Sequence, residues 1–257
     1  MNVKAKKHLG QHFLTDENIA KKIVEGLDFQ PYHYVLEVGP GTGVLTKYLL
    51  EKPTETYVAE IDTESIEYLK LHYQKLENKH FTGDFLKINL NDIFSGEVAI
   101  IGNFPYNISS QILFKIIENY QQIPEMVGMF QKEVAERTAA VPRTKDYGIL
   151  SVLVQAYYDV KYLFTVHENV FNPPPKVKSG VIKLTRNRKE GLEGNEILFK
   201  QIVKTGFGQR RKKLSNALKS LDIPEVLKSH AFMDKRAEEL SVEDFINFTQ
   251  EWKAAKN

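Results

Sequence analysis

The sequence predicts an α/β protein in which a doubly wound, parallel sheet is followed by a small helical domain. Three observations lead to that class. Between Tyr34 and Gln131, four short β-rich runs alternate with stretches whose apolar residues recur at helical spacing. A glycine-rich segment directly follows the first run and opens the next helix. Beyond Arg186 the strand-like runs stop, and only short helical patterns remain.

Asp16 caps a first helix that buries Ile19, Ile23, Val24 and Leu27. Tyr34–Val38 is the first strand and Thr56–Ile61 the second, with a helix through Val44, Leu45, Tyr48 and Leu49 between them. Thr63 starts a helix carrying Ile66, Leu69, Tyr73 and Leu76, and a third strand is expected just before Gly83. Val98–Ile101 and Met126–Phe130 are the fourth and fifth strands, separated by a helix that starts at Ser109 and buries Ile112, Leu113, Ile116 and Ile117. A further helix runs through Gly148–Ala156. Two strand-like runs, Val160–His167 and Gly180–Leu184, flank Phe171-Asn-Pro-Pro-Pro175, whose prolines predict a stiff loop. Asn187–Asn195 reads as a linker, and the last helix is capped by Ser241 with Asp244 and buries Phe245, Phe248 and Trp252.

Composition narrows the class. An apolar share of 42% in 257 residues supports a sizeable core and excludes a disordered chain. The absence of cysteine excludes disulfides, thiolate metal sites and cysteine nucleophiles, and fits a reducing cytoplasm. No apolar run reaches the roughly 18–20 residues of a membrane span, and Lys4, Lys6 and Lys7 lead into polar residues rather than a signal core. A soluble, unexported protein is expected. Net charge is only +2, but it is segregated: residues 1–14 and 171–186 carry three and four basic residues and no acid. Lys204–Lys219 holds six basic residues and no acid, with Arg210, Arg211, Lys212 and Lys213 consecutive. We read this stretch as a basic helix whose following turns bury Leu214, Ala217, Leu218 and Leu221. It is a candidate clamp for RNA phosphates or, alternatively, a solvated face.

Glu37-Val-Gly-Pro-Gly-Thr-Gly43 sits between the first strand and its helix, where glycines Gly39 and Gly41 let a ligand approach the backbone. Glu60 ends the second strand, where a carboxylate accepts hydrogen bonds from ribose hydroxyls. The loop lacks the Gly-x-Gly-x-x-Gly spacing of a pyrophosphate cradle and the lysine of a P-loop, which disfavours dinucleotides and ATP. Asp84 is placed to bond an adenine amino group, with Ile61 and Phe85 covering the ring faces, an arrangement that suits S-adenosylmethionine. Taken alone, Asp84 reads more readily as a turn aspartate, and its assignment to the adenine rests on the ensemble.

The fourth strand runs into Asn103-Phe104-Pro105-Tyr106, and strand carboxyl ends face the ligand crevice in an open α/β sheet. An exocyclic adenine amine is a poor nucleophile because its lone pair is delocalised into the ring. Two fixed acceptors, the Asn103 side-chain oxygen and a Phe104 or Pro105 carbonyl, would favour a pyramidal nitrogen. Pro105 restricts the backbone, and Tyr106 offers a stacking face.

These motifs, with Gly10-Gln-His-Phe-Leu14, Gly83-Asp84, Val170-Phe-Asn-Pro-Pro-Pro-Lys-Val-Lys-Ser179 and Phe207-Gly-Gln-Arg-Arg-Lys-Lys-Leu-Ser-Asn-Ala-Leu218, resemble the ribosomal RNA adenine N6-dimethyltransferase family over nearly the whole chain, and most closely its small-subunit branch. The resemblance implies a Rossmann-like S-adenosylmethionine-dependent methyltransferase sheet in residues 1–188 and an all-helical RNA-binding domain in residues 189–257. It implies that His12, Leu14, Gly39, Glu60, Asp84 and Asn103 line the cofactor pocket and that Tyr106 and Phe171 sandwich the target adenine. It also implies that two adjacent adenines near the end of small-subunit RNA are dimethylated. Lys176 and Lys178 join the basic run as candidate RNA contacts. The implied partner is small-subunit RNA in a pre-ribosomal particle, with no membrane or metal, and the protein is expected to be monomeric. Phe104 stands where the family usually has leucine, and His12 where many members have asparagine. Two competing readings are a large-subunit adenine methyltransferase conferring antibiotic resistance and an assembly factor that acts by binding alone.

Overall fold

The computed structural model describes residues 3–256. Its central sheet has six strands: β2 (Tyr34–Val38), β3 (Glu55–Ala59), β4 (Val98–Asn103), β5 (Glu125–Gln131), β6 (Tyr158–Val166) and β8 (Ser179–Arg186), in the order β3-β2-β4-β5-β8-β6. Four strands are parallel, with Leu36 facing Tyr57 and Ile100, and Gly102 facing Gly128. β8 runs antiparallel to β5, with Gly128 opposite Ile182. Crossover helices follow from the apolar spacing: α2 (Thr46–Leu49) after β2, α3 (Thr63–His72) after β3 and α4 (Ser109–Glu118) after β4. Ile23, Val35, Leu49, Ala99 and Val127 are fully or almost fully buried in one continuous core.

Three local expectations change. The third strand is reduced to a single bridge between Phe81 and Val58, because the polar stretch Asn78–His80 coils into a 3-10 turn and leaves too little chain for a ladder. The cap of α3 is Asp62 rather than Thr63, with its carboxylate accepting from the Glu64 amide. The proline-rich segment is not wholly loop. Phe171–Asn172 forms a short strand, β7, antiparallel to β1 (Phe13–Leu14), because its pairing ends where the prolines begin.

The described chain packs as two compact units, one formed by the residues through Ala135 together with Val160–Arg186, the other by Glu136–Asp159 and the residues after Arg186. The sequence placed one boundary, between 188 and 189. The additional crossing brings α6 (Ile149–Gln155) to the C-terminal helices α7 (Glu196–Gly208), α8 (Leu214–Ala217) and α9 (Val242–Ala254). In that unit the buried Tyr147 hydroxyl donates to the Leu240 carbonyl at 2.9 Å, and its ring meets Phe207 edge-on. The Ser241–Asp244 capping box of α9 forms as the sequence predicts. Among the described residues, no helix is long and apolar enough to cross a membrane.

Phe104 shows how a bulky residue fits the strand end. Its ring is 1% exposed, stands 4.9 Å from Phe130, and lies over the paired Gly102 and Gly128. A β-carbon added to Gly128 would fall on that ring. Gly128→Ala should therefore destabilise the protein by about 1–3 kcal/mol through overpacking. Adding Phe104→Leu should recover part of the loss, as measured by urea unfolding of both variants.

Candidate active site

A cleft enclosing about 760 Å³ of space, open water at its mouth included, lies at the carboxyl ends of β2, β3 and β4. Glycines form its floor: Gly39 and Gly41 have φ of +69° and +56°, and the Gly39 amide donates to Ala59 at 2.9 Å. At Gly41 a β-carbon would stand 2.7 Å from the Phe13 ring, so only glycine leaves the Phe13 ring in place there.

Glu60, just past β3, is 7% exposed. Its carboxylate accepts from the amides of Ile61 at 2.8 Å, Asp62 at 2.9 Å and Gly41 at 3.2 Å. Burial raises its pKa above the ordinary carboxylate value, against these three donors. A carboxylate has about four acceptor directions. Three are used, so one ribose hydroxyl fits directly, and a second fits if the long Gly41 bond yields. Ile61 is 55% exposed beside it, an apolar face at the cleft, while the buried Phe85 also belongs to the lining. Asp84 lines the cleft and also takes the turn role, accepting from the Leu86 amide at 3.0 Å and pairing with Lys87 at 3.3 Å. Carboxylate, glycine floor and apolar ring covers together fit the nucleoside part of S-adenosylmethionine.

The reacting end of the cleft is built at the end of β4. Asn103 Nδ2 donates to the His12 carbonyl at 2.8 Å. This bond fixes the amide orientation and leaves Oδ1 as the acceptor. Pro105 O accepts from the Ile108 amide at 3.3 Å and keeps one acceptor direction, so the second acceptor is this carbonyl or that of Phe104. The Tyr106 hydroxyl lies 2.5 Å from Ser179 Oγ, and burial raises its pKa, so the phenol stays neutral.

A segment that the residue patterns did not single out roofs the cleft. Leu9, Gly10, Gln11, His12 and Phe13 line it, and the resemblance motif Gly10–Leu14 was its only signal in the sequence. Lys6 and Gln11 both reach Asp62, at 2.5 and 3.0 Å, while Thr15 bonds Val170. Burial works to raise the Asp62 pKa, but the bonds from Lys6 and Gln11 outweigh it and hold the carboxyl below its ordinary value.

The cleft thus brings together His12, Gly39, Gly41, Glu60, Ile61, Asp84, Phe85, Asn103, Pro105 and Tyr106. It does not bring in Leu14 or Phe171. Leu14 is 3% exposed and lines a smaller neighbouring cavity with Glu37 and Asn103, while Phe171 is 4% exposed and packs in the core, paired with Leu14 across β1 and β7.

The basic run also differs from its expectation. Arg210–Lys213 is a turn between α7 and α8 rather than a helix, since α7 ends at Gly208. Arg210 pairs with Glu238 at 2.5 Å and Lys213 with Asp234 at 3.0 Å, whereas Arg211 and Lys212 are exposed without ion pairs among the described residues. A bridge between Lys213 and Arg236 brings Arg236 to the same groove, and Arg143 joins them from the other segment of this unit. Their distance in sequence hid both arginines. Lys176 and Lys178 are exposed on the loop before β8.

A model of the family described as ribosomal RNA adenine dimethylase matches residues 2–254. The chain belongs to the ribosomal RNA adenine dimethylase family. It is 60% identical to the ribosomal RNA small subunit methyltransferase A of Flavobacterium johnsoniae, over 98% of this chain and 97% of that one. Identity to the protein of the same name from Cytophaga hutchinsonii is 57%, over 96% of each chain. Among solved structures, a dimethyladenosine transferase from Plasmodium falciparum superposes with a TM-score of 0.83 at 26% identity, covering 95% of this chain and 98% of that one. The 23S rRNA methyltransferase ErmE shares the fold, with a TM-score of 0.68 at 24% identity, covering 94% and 99%. As a member of the ribosomal RNA adenine dimethylase family, the chain is an S-adenosylmethionine-dependent methyltransferase.

Glu60→Ala should weaken S-adenosylmethionine binding by about 1.5–3 kcal/mol, the worth of a hydrogen bond to a charged acceptor, or roughly ten- to a hundredfold by calorimetry. Beneath the loop, Glu37 is 1% exposed and accepts from Thr46 at 2.6 Å, and burial pushes its carboxyl up to about 8. An unfolded chain releases this proton near pH 4.3, so Glu37 supports folding fully below that pH and loses its contribution as pH rises to 8. The slope approaches about 1.4 kcal/mol per pH unit. Glu37→Gln should flatten that fall in stability between pH 5 and 8, measured by urea unfolding across the range.

Proposed function

We propose that this protein transfers methyl groups from S-adenosylmethionine to the N6 amines of two adjacent adenosines near the 3′ end of small-subunit ribosomal RNA. The products are N6,N6-dimethyladenosines, made during small-subunit biogenesis in the cytoplasm by a monomer acting on a pre-ribosomal particle. The observation that carries the reading is the Asn103 amide, locked by the His12 carbonyl at 2.8 Å so that Oδ1 is left to accept. High identity to small-subunit methyltransferases supports the choice of RNA. The likeness to ErmE is a likeness of fold and does not favour the large subunit.

S-adenosylmethionine supplies a methyl group carried on a sulfonium, which needs no strong base to be transferred. Asn103 Oδ1 accepts one N6 hydrogen and the Phe104 or Pro105 carbonyl the other, drawing the lone pair out of the ring system. Pro105 limits the backbone rotation that would swing that carbonyl away. Tyr106 supports one face of the base, neutral and tethered through Ser179. The protein's contribution is positioning and electrostatics. In the helical unit, Arg211 and Lys212 grip phosphates, with Lys176 and Lys178 doing the same beside the cleft. Arg210 and Lys213 contribute through their acid partners' geometry. A protein that acted by binding alone would have no use for the orientation of the Asn103 amide.

Asn103→Ala should cut methyl transfer to small-subunit particles by orders of magnitude while cofactor affinity falls far less, because the lost bond acts on the reacting amine. Tritium transfer and calorimetry measure the two. Wild-type transfer into large-subunit particles instead would sink the choice of substrate. Replacing Arg211 and Lys212 with glutamine should flatten the dependence of log affinity on log salt by up to about 0.7–0.9 per lost phosphate contact. The same change at Arg210 and Lys213 should flatten it less.

A further inference from the structure

The proline-rich loop before β8 ends in a tip that methyl transfer at the end of β4 does not use. Lys176, Val177 and Lys178 are all exposed, held between the buried Pro175 and the buried Ser179. Val177 is 46% exposed although it is apolar. A single exposed apolar residue is ordinary on a protein surface, but the surroundings of this one are not. The loop is tied to the rim of the cleft near both its ends: His12 Nδ1 donates to the Pro173 carbonyl at 2.7 Å, the Tyr106 hydroxyl lies 2.5 Å from Ser179 Oγ, and His12 and Tyr106 both line the cleft. The Lys132 amide donates to the Lys178 carbonyl at 2.9 Å, and three consecutive prolines restrict the backbone before the tip. The tip therefore holds its shape without a partner. A lysine stands on each side of Val177, and residues 171–186 contain no acid, so the field around this apolar side chain attracts a polyanion.

We propose that Val177 is a wedge that enters the base stack of the RNA at the gap left by the extruded adenosine, while Lys176 and Lys178 hold the phosphates beside that gap. This rests on the adenine methyltransferase reading above. Taking a base out of a stack exposes the faces of its neighbours to water, and an apolar side chain inserted there covers them. The returning adenosine must then displace the wedge, so the extruded state lasts longer. Val177 touches the nucleotides that stay in the stack and neither the reacting amine nor the cofactor. It is a positioning residue. Because the tip is preformed, insertion asks for no movement of the covering segment, and the bond between Asn103 and the His12 carbonyl stays intact.

Three variants separate the wedge from the charge around it. Val177→Ser removes the apolar tip, Val177→Ile keeps it, and Lys176→Gln with Lys178→Gln removes the cations. The probes are small-subunit particles with the target adenosines intact, for KM, and particles with 2-aminopurine at the nucleotides flanking the target pair, whose fluorescence is quenched while they are stacked. Wild-type protein should brighten a flanking 2-aminopurine, because an aliphatic side chain replaces its stacked neighbour. Val177→Ser should raise the KM for particles roughly tenfold, the worth of burying one valine, and should leave the 2-aminopurine dimmer than wild type does even at saturating protein. Its cofactor affinity by calorimetry and its urea midpoint should match wild type, which shows a folded protein with an intact cleft. Val177→Ile should keep both the KM and the brightening. The double lysine variant should bind more weakly with a flatter salt dependence, yet brighten the probe fully once saturated. The proposal is overturned if Val177→Ser keeps the wild-type KM and brightening, if Val177→Ile loses them as Val177→Ser does, or if Val177→Ser changes only the salt dependence. Should wild-type protein methylate only large-subunit particles, the substrate reading fails, and the same variants on that RNA still decide the wedge.

Discussion

One hydrogen bond, from Nδ2 of Asn103 to the main chain of His12, joins the strand end that handles the reacting amine to the segment that covers the cofactor cleft. An amide side chain is pseudo-symmetric, and in water its two ends exchange places at little cost. At a site that must accept rather than donate, that freedom would orient half the molecules wrongly. A fixed carbonyl on one side removes the ambiguity, since only the NH₂ end can face it. The geometry of the reacting end therefore depends on backbone placed 91 residues earlier in the chain.

Support for that bond comes from two directions. From below, Phe104 fills the space over Gly102 and Gly128, so the strand end rests on an aromatic platform rather than a flexible aliphatic one. From the side, β1 is clipped to β7, and Thr15 is bonded twice to Val170, which fixes the position of His12 relative to the proline-rich loop. The family resemblance marks Phe104 and His12 as departures from the usual residues. Each sits where the surroundings accommodate it, Phe104 against paired glycines and His12 against a free carbonyl and a tyrosine face.

Much of this was legible in the sequence because it is local. The alternation of strands and amphipathic helices, the glycine turn after Val38, the carboxylate ending β3 and the Asn103–Tyr106 strand end all depend on residues close together in the chain. What was illegible depends on pairing across long separations. Nothing near Phe171 says that Leu14 will pair with it and draw its ring into the core. Nothing near Arg143 says that it will meet Arg236. The basic run was misread as a helix because charge density carries no periodicity. α7 stops at Gly208, and the run is the turn that follows. The third strand was expected where no alternating run supports one, and the structure keeps only a one-residue bridge there.

Asp62 caps α3 and at the same time anchors Lys6 and Gln11 of the covering segment, while its own amide donates to Glu60. Two adenosines that each take two methyl groups consume four cofactor molecules, so spent cofactor must leave and fresh cofactor enter between transfers. The His12 carbonyl that orients Asn103 belongs to the same segment that lines the cleft, so the setting of the amine's acceptor and the cover of the methyl-donor site share one stretch of backbone through all four rounds.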